Sequence, residues 1–362
     1  MRDPLGHGAA LHGRAGFRHH FYTGHPRTVT VVMPSVVNPK GRTKRLDSIQ
    51  ETWGATARAV YVVHNVNEYP AASHAVISES SKPEDPYSYP QLMLVPESIG
   101  SEEGVARLIH TIQTVYEKIN PDFAFFVNDH TYVIPEHLCK YLEHKDPNED
   151  MYHGHAMKND KLVFNSGAAG YVLSRKTMQR LVDEWENDKC NGKTASNWIK
   201  GNPGLLTTEC MKTELGVEPV DTREHQKYHR FHAFPLTRLV SGHVDEWYKN
   251  KHQDMDKLSS AFPPSYNTLL SGEDCCAEDT ISFHYVEFME SRALFATREA
   301  LLENPHLSDH EVKSLMIAEW PREHKEVGGY SRGLPKESDD TGWKPILKVV
   351  RRMSQRHTQR EC

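Results

Sequence analysis

Residues 123–131 read FAFFVNDHT, five apolar residues that break at once into an amide, a carboxylate, an imidazole and a hydroxyl. An apolar run without alternation, four to eight residues long, is the pattern of a strand buried on both faces, as in a parallel sheet covered by helices. In open α/β sheets ligands sit beyond the carboxyl ends of such strands. Asn128, Asp129 and His130 are therefore the first functional candidates.

The flanking sequence agrees with an α/β fold. Upstream, Val105, Leu108, Ile109, Ile112, Val115, Tyr116 and Ile119 recur at helical spacing over residues 102–119, and Asn120-Pro121 ends the pattern. Residues 28–37 (TVTVVMPSVV) form a β-branched strand, residues 46–53 a short helix closed by Gly54, and residues 59–63 a second apolar strand, a β-α-β opening that implies parallel pairing. Residues 65–89, rich in Pro, Ser and Glu, read as a surface excursion. Downstream, VFNSGAAGYVL (163–173) sets Gly167, Ala168, Ala169 and Gly170 between two apolar runs, where a backbone can approach closely. Ser174 caps a helix whose Met178, Leu181, Val182 and Trp185 share a face, and Ser308 with Glu311 forms a capping box before a helix ending near Trp320.

This gives one domain over residues 28–320, preceded by a flexible Gly-, His- and Arg-rich segment (1–27) and followed by a polar linker and basic tail (321–362). The tail reads as a solvated helix, with surface association as the sharper alternative. The net charge of −6, with 43 Lys and Arg against 49 Asp and Glu, offers no field for a phosphate backbone, so nucleic acid is not an expected partner. No apolar run is long enough to span a bilayer, and no secretory signal opens the sequence; membrane association is expected only through an anchor not visible in it. Six cysteines, none in CxxC spacing, permit one or two bridges but no zinc ribbon. His153 and His155 could share a strand face, yet among 23 histidines a chance His-x-His is the expected reading.

Taken by their residue types, Asp129 and His130 offer oxygen and nitrogen donors that suit Mn²⁺, while a single Asp after a strand is more commonly a turn former. Four collinear segments raise the functional reading. FFVNDHTYVIPEHLCKYL, FNSGAAGYVLS, ECMKTELGVEPVDTRE and EDCCAEDTISFHYVEF, with RLDSIQETWG ahead of them, resemble the aspartate-triplet, SGGAGYVLS, Gly-Val-Glu and Ser-Phe-His-Tyr-Val segments of fringe-like and core 1 β1,3-galactosyltransferases, glycosyltransferase family 31. The resemblance covers about residues 28–295 and marks a divergent member.

The resemblance implies a GT-A fold with a mostly parallel, Rossmann-like sheet flanked by helices in a single domain, UDP-galactose as donor, Mn²⁺ as cofactor and inverting β1,3 transfer to a GalNAc-type glycoprotein glycan in the Golgi or ER lumen. By position it puts Asn128, Asp129 and His130 on the aspartate triplet and His284 on the histidine that completes the metal site, with Asp129, His130 and His284 as the metal set. It also puts Cys190 and Cys210 where the family places cysteines of the acceptor-side loop, and so implies a bridge between them. Of the vicinal pair Cys275-Cys276, one is expected to pair elsewhere or stay free, because adjacent cysteines bond with strain. Cys139 is expected to be a core thiol.

Two departures stand out. The last triplet carboxylate, the family's direct metal ligand, is replaced by neutral His130. The family's Glu-Asp pair, whose Asp is the base, falls on Pro203 and Gly204, neither able to accept a proton. Glu209, Asp221, Asp129 or a residue of 193–202 could substitute. A non-catalytic relative acting as a chaperone or as a glycan- or partner-binding protein is the alternative function.

Overall fold

The computed structural model describes residues 27–35, 41–57, 59–65, 76–77, 91–99, 104–160, 162–187, 189–190, 203–320 and 333–355. The expected flexible segment (residues 1–26 of it) and the 193–202 stretch lie outside these residues, as does most of the expected surface excursion.

A seven-stranded sheet forms the centre. Its strands in chain order are β1 (Thr28–Val32), β2 (Val60–Asn65), β3 (Val76–Ile77), β4 (Gln91–Val95), β5 (Phe123–Val127), β7 (Tyr152–Gly154) and β10 (Tyr171–Ser174), with β6 (Tyr132–Val133), β8 (Ala156–Lys158) and β9 (Val163–Asn165) placed elsewhere. The spatial order is β3-β4-β2-β1-β5-β10-β7. Pairing is parallel from β3 through β5 and antiparallel at β5–β10 and β10–β7. A second small sheet joins β11 (Phe231–His232), β12 (Ser282–Phe283) and β6.

Successive strand residues point to opposite faces, and both faces of this sheet are covered. Val32, Val60, Val62, Phe123, Phe125 and Val127 enter one core together with Ile49 of helix α1 (Arg42–Glu51). Val29, Val31, Tyr61, Val63, Ala124 and Phe126 enter the other, met by Leu108 and Ile112 of α2 (Gly104–Thr114) and by Met178 and Leu181 of α4 (Arg175–Glu186), α3 being Pro135–Leu142. Ser174 caps α4 by accepting the Thr177 amide, and the Ser308–Glu311 capping box opens the helix Asp309–Glu319. The architecture is the single-domain, mostly parallel α/β arrangement implied for a GT-A transferase.

Four expectations are corrected. The tail is not a solvated extension: the helix Asp340–Met353 buries Trp343, Ile346, Leu347, Val349, Val350 and Met353 in the first core, so the domain runs on past residue 320. Residues 76–77 of the expected excursion are an edge strand paired with β4. Cys275 and Cys276 are bonded to each other; both are buried, and no free thiol is left among the described residues to take either. Cys139, on α3, is half-buried and disulfide-bonded, not a core thiol. Cys190 and Cys210 are bonded across 20 residues of sequence.

Candidate functional site

β1 has β2 on one side and β5 on the other, so the chain turns in opposite directions from this pair of strands. That is the switch point at which open α/β sheets form a crevice. The two strand ends are tied together there: the Met33 amide donates to the Val127 carbonyl (2.8 Å) and the Ser35 amide to Asp129 Oδ1 (2.8 Å).

Asn128 folds the segment beyond β5 into a turn. Its Oδ1 accepts from the His130 amide (2.9 Å) and the Thr131 hydroxyl (3.1 Å), an Asx-type arrangement. The small residues at 166–170 close over it, since the Ala168 carbonyl accepts from the Thr131 hydroxyl and the Ala169 carbonyl from Ser282 Oγ. Gly170 makes this approach possible. Its φ is +85°, and a Cβ there would stand 2.6 Å from the Phe125 ring.

The small sheet brings the distant histidine in. His284 follows β12, its amide bonded to the His232 carbonyl and the Val286 amide to the His130 carbonyl. Asn128 Nδ2 then donates to His284 Nε2 at 3.0 Å, and the His130 and His284 rings lie 6.2 Å apart. Burial holds the His284 pKa down at about 3, helped by the nearby His130 and opposed by the Ala233 backbone. Asn128, Asp129, His130 and His284, residues 154 apart in sequence at His130 and His284, therefore meet in one place.

Asp129 does not face the crevice as a ligand would. Its side chain is fully buried, with Oδ2 accepting from Arg45 Nε (2.9 Å) and Nη2 (2.8 Å) and Oδ1 from Ser35. Arg45 comes from α1 and also stands 3.9 Å from Glu287. Glu287 lies on the other side 3.3 Å from His130 Nδ1, an electrostatic contact rather than an aligned hydrogen bond. Neither Arg45 nor Glu287 is among the sequence candidates; Glu287 closes the HYVE stretch that carries His284, three residues on, and that proximity was its one available signal.

This arrangement does not fit a divalent cation. Both Asp129 oxygens are taken, His284 Nε2 already accepts a hydrogen bond, and a guanidinium stands where a dication would be repelled by about 4 kcal/mol per unit charge at 4 Å. Among the described residues no group of three or more His, Cys, Asp or Glu could hold a metal. Of the implied metal set Asp129, His130 and His284, Asp129 is bonded to Arg45 and Ser35 and His284 to Asn128, while the His130 ring stands beside His284.

The substitute bases fare unequally. Asp221 is held by Arg223 through Nε (2.9 Å) and Nη2 (2.8 Å). Gly204 lies in the helix α5 (Pro203–Cys210), where its carbonyl accepts from Thr208, and half-buried Glu209 lies on the same helix. His153 and His155 take no part: Tyr141 bonds His153, and Phe231 and Tyr248 bond His155.

No family model matches the chain. It is 30% identical over 171 residues to glycoprotein-N-acetylgalactosamine 3-beta-galactosyltransferase 1 of Xenopus laevis, covering 46% of this chain and 42% of that protein. Over that stretch the chain is similar to a β1,3-galactosyltransferase. It also matches the human chondroitin sulfate glucuronyltransferase, 27% identical over 140 residues, 37% of this chain and 17% of that one. The match to each of these relatives thus spans less than half of its length. Among solved structures, the galactosyltransferase LgtC bound to donor and acceptor sugar analogs overlaps 71% of this chain and 86% of its own, with TM-score 0.34 and 11% identity. The glycosyltransferase GlyE of Streptococcus pneumoniae overlaps 72% and 55%, with TM-score 0.36 and 12% identity.

Proposed function

We propose that this chain is an inverting hexosyltransferase that transfers galactose from UDP-galactose in β1,3 linkage to a GalNAc-type glycoprotein glycan. The observation that carries the reading is the meeting of Asn128, His130 and His284 at the β1/β5 switch point, the place where a nucleotide-sugar crevice forms in such sheets. The similarity to the Xenopus galactosyltransferase supports the choice of sugar and acceptor. A secretory-pathway lumen is the proposed location, because the Cys190–Cys210 and Cys275–Cys276 bridges persist only in an oxidising compartment. Mn²⁺ has no part in the reading, since Asp129 and His284 are otherwise engaged.

Transfer needs a base for the acceptor hydroxyl. Asp129 and Asp221 are both held by arginines, which leaves Glu209 as the carboxylate of that set able to take a proton. The absence of a carboxylate at Gly204 favours the second reading, a non-catalytic relative that binds a glycan or a partner protein. A transfer assay with UDP-galactose and an aryl α-GalNAc acceptor separates the two: we expect galactosylated product, lost in His284→Ala. Absence of product from a folded protein that still binds UDP would favour the binding protein.

A further inference from the structure

The engaged state of the triplet positions has a consequence for the donor. We propose that the nucleoside diphosphate is bound here without a divalent cation, with His130 supplying the contact that a cation would make. The proposal rests on the nucleotide-sugar reading above.

The charges are arranged for it. Asp129, the one carboxylate left in the triplet, is neutralised inside the protein by Arg45, and Asn128 and His284 present no net charge. A diphosphate approaching this strand end therefore meets no exposed carboxylate that a metal would have to screen. Glu287, the other acid beside His130, is buried and shared between Arg45 (3.9 Å) and the Nδ1 side of His130 (3.3 Å).

His130 is oriented by the same contacts. Of its two ring nitrogens only Nδ1 is sealed from solvent without a hydrogen-bond partner, and that atom faces Glu287. Nε2 is thus the atom left for a ligand, on a ring whose backbone is fixed by Asn128 Oδ1 at its amide and by the Val286 amide at its carbonyl. With Nδ1–H turned to the Glu287 carboxylate, the ring that also donates from Nε2 to a phosphate oxygen is the imidazolium between two anions, a charge-assisted contact that needs neither the octahedral geometry nor the oxygen ligands that a hard cation requires. The charged and titratable groups around the ring are Arg45 from α1, Asp129 from its own loop, and His284 and Glu287 from the segment after β12. They give the ring one cation, two anions that the cation already contacts, and a neutral imidazole.

Calorimetric titration of the full chain with UDP, once in EDTA and once in Mn²⁺, tests this. We expect the two dissociation constants to agree within about twofold, and His130→Ala to weaken both by about tenfold or more, the loss of one charge-assisted bond. His130→Gln, which can keep an N–H donor, should recover part of the affinity. Thermal melts of each variant establish that the fold is retained. Binding in Mn²⁺ that disappears in EDTA would overturn metal independence while leaving the nucleotide site standing; UDP binding that His130→Ala leaves unchanged would overturn the role of His130. No binding in either buffer, from a protein that melts cooperatively, overturns both the inference and the reading beneath it.

Discussion

Asp129 and Arg45 form a buried pair whose value is decided by what replaces it. With side chains 0% and 2% exposed, neither charge reaches water, and the Coulombic attraction is set against the cost of drying both ions. Removing one partner leaves the other charge buried and unpaired. Arg45→Met should therefore destabilise the protein by about 3–5 kcal/mol, read from urea denaturation. The double variant Arg45→Met, Asp129→Leu should recover much of that loss. If Arg45→Met melts like the parent, the pair is not a structural element, and Asp129 would be open to a ligand after all. The sequence showed Asp129 but not its partner, because an arginine 84 residues away in an amphipathic helix carries no local mark of the carboxylate it will meet.

At the level of elements, what was legible is what local physics decides. β5 was readable from FAFFV because burial on both faces removes alternation, and the α4 and Asp309–Glu319 helices from caps that satisfy orphan amides within four residues. β4 (QLMLV) was missed although Pro90 and Pro96 bracket it, since by periodicity a five-residue apolar run suits a strand and a buried helix equally. The helix Asp340–Met353 was misjudged by composition. Its lysines and arginines occupy one face, where Lys348 pairs with Glu273 and Arg351 with Asp309, while Trp343, Ile346, Leu347, Val350 and Met353 recur at helical spacing on the other. Weighting period over charge would have found it. The helix also braces the vicinal bridge, with Arg352 Nη2 donating to the Cys276 and Glu273 carbonyls. Trp343 is fully buried, so Trp343→Ala should cost about 3–5 kcal/mol in a chemical denaturation experiment. A cost below about 1 kcal/mol would mean that this helix is an appendage and not part of the core.

At the scale of the whole molecule, the interior holds a group of histidines. His155, His229, His232 and His252 cluster between β7, β11 and the segments that follow, with half-buried His153 and buried His284 near by. His155 Nδ1 donates to the Phe231 carbonyl at 2.9 Å and His252 Nδ1 to the Tyr248 carbonyl at 3.0 Å, contacts that favour the protonated ring, and the Tyr248 hydroxyl meets His155 Nε2 at 2.6 Å. Burial is the first cause of depressed basicity in every case, taking His252 to about 4, His153, His232 and His284 to about 3, and His155 and His229 well below their ordinary value. The sign follows from linkage. Above the unfolded value of about 6.5 neither state binds protons at these sites and stability does not change with pH; below it the unfolded chain takes them up while the fold does not, so stability falls with each step toward the folded value. At about 1.4 kcal/mol per unit, His252 alone contributes on the order of 3 kcal/mol to that loss. Ordinary carboxylates titrate below about pH 4.5, so the interval from pH 6.5 to 5 isolates the histidines. Urea midpoints should be flat from pH 8 to 7 and fall steeply from 6.5 to 5, and His252→Gln, which removes one titrating ring, should fall less steeply over the same interval. A midpoint that stays constant down to pH 5 would show that these imidazoles already hold their protons in the fold, and the neutral, carbonyl-anchored network would have to be redrawn.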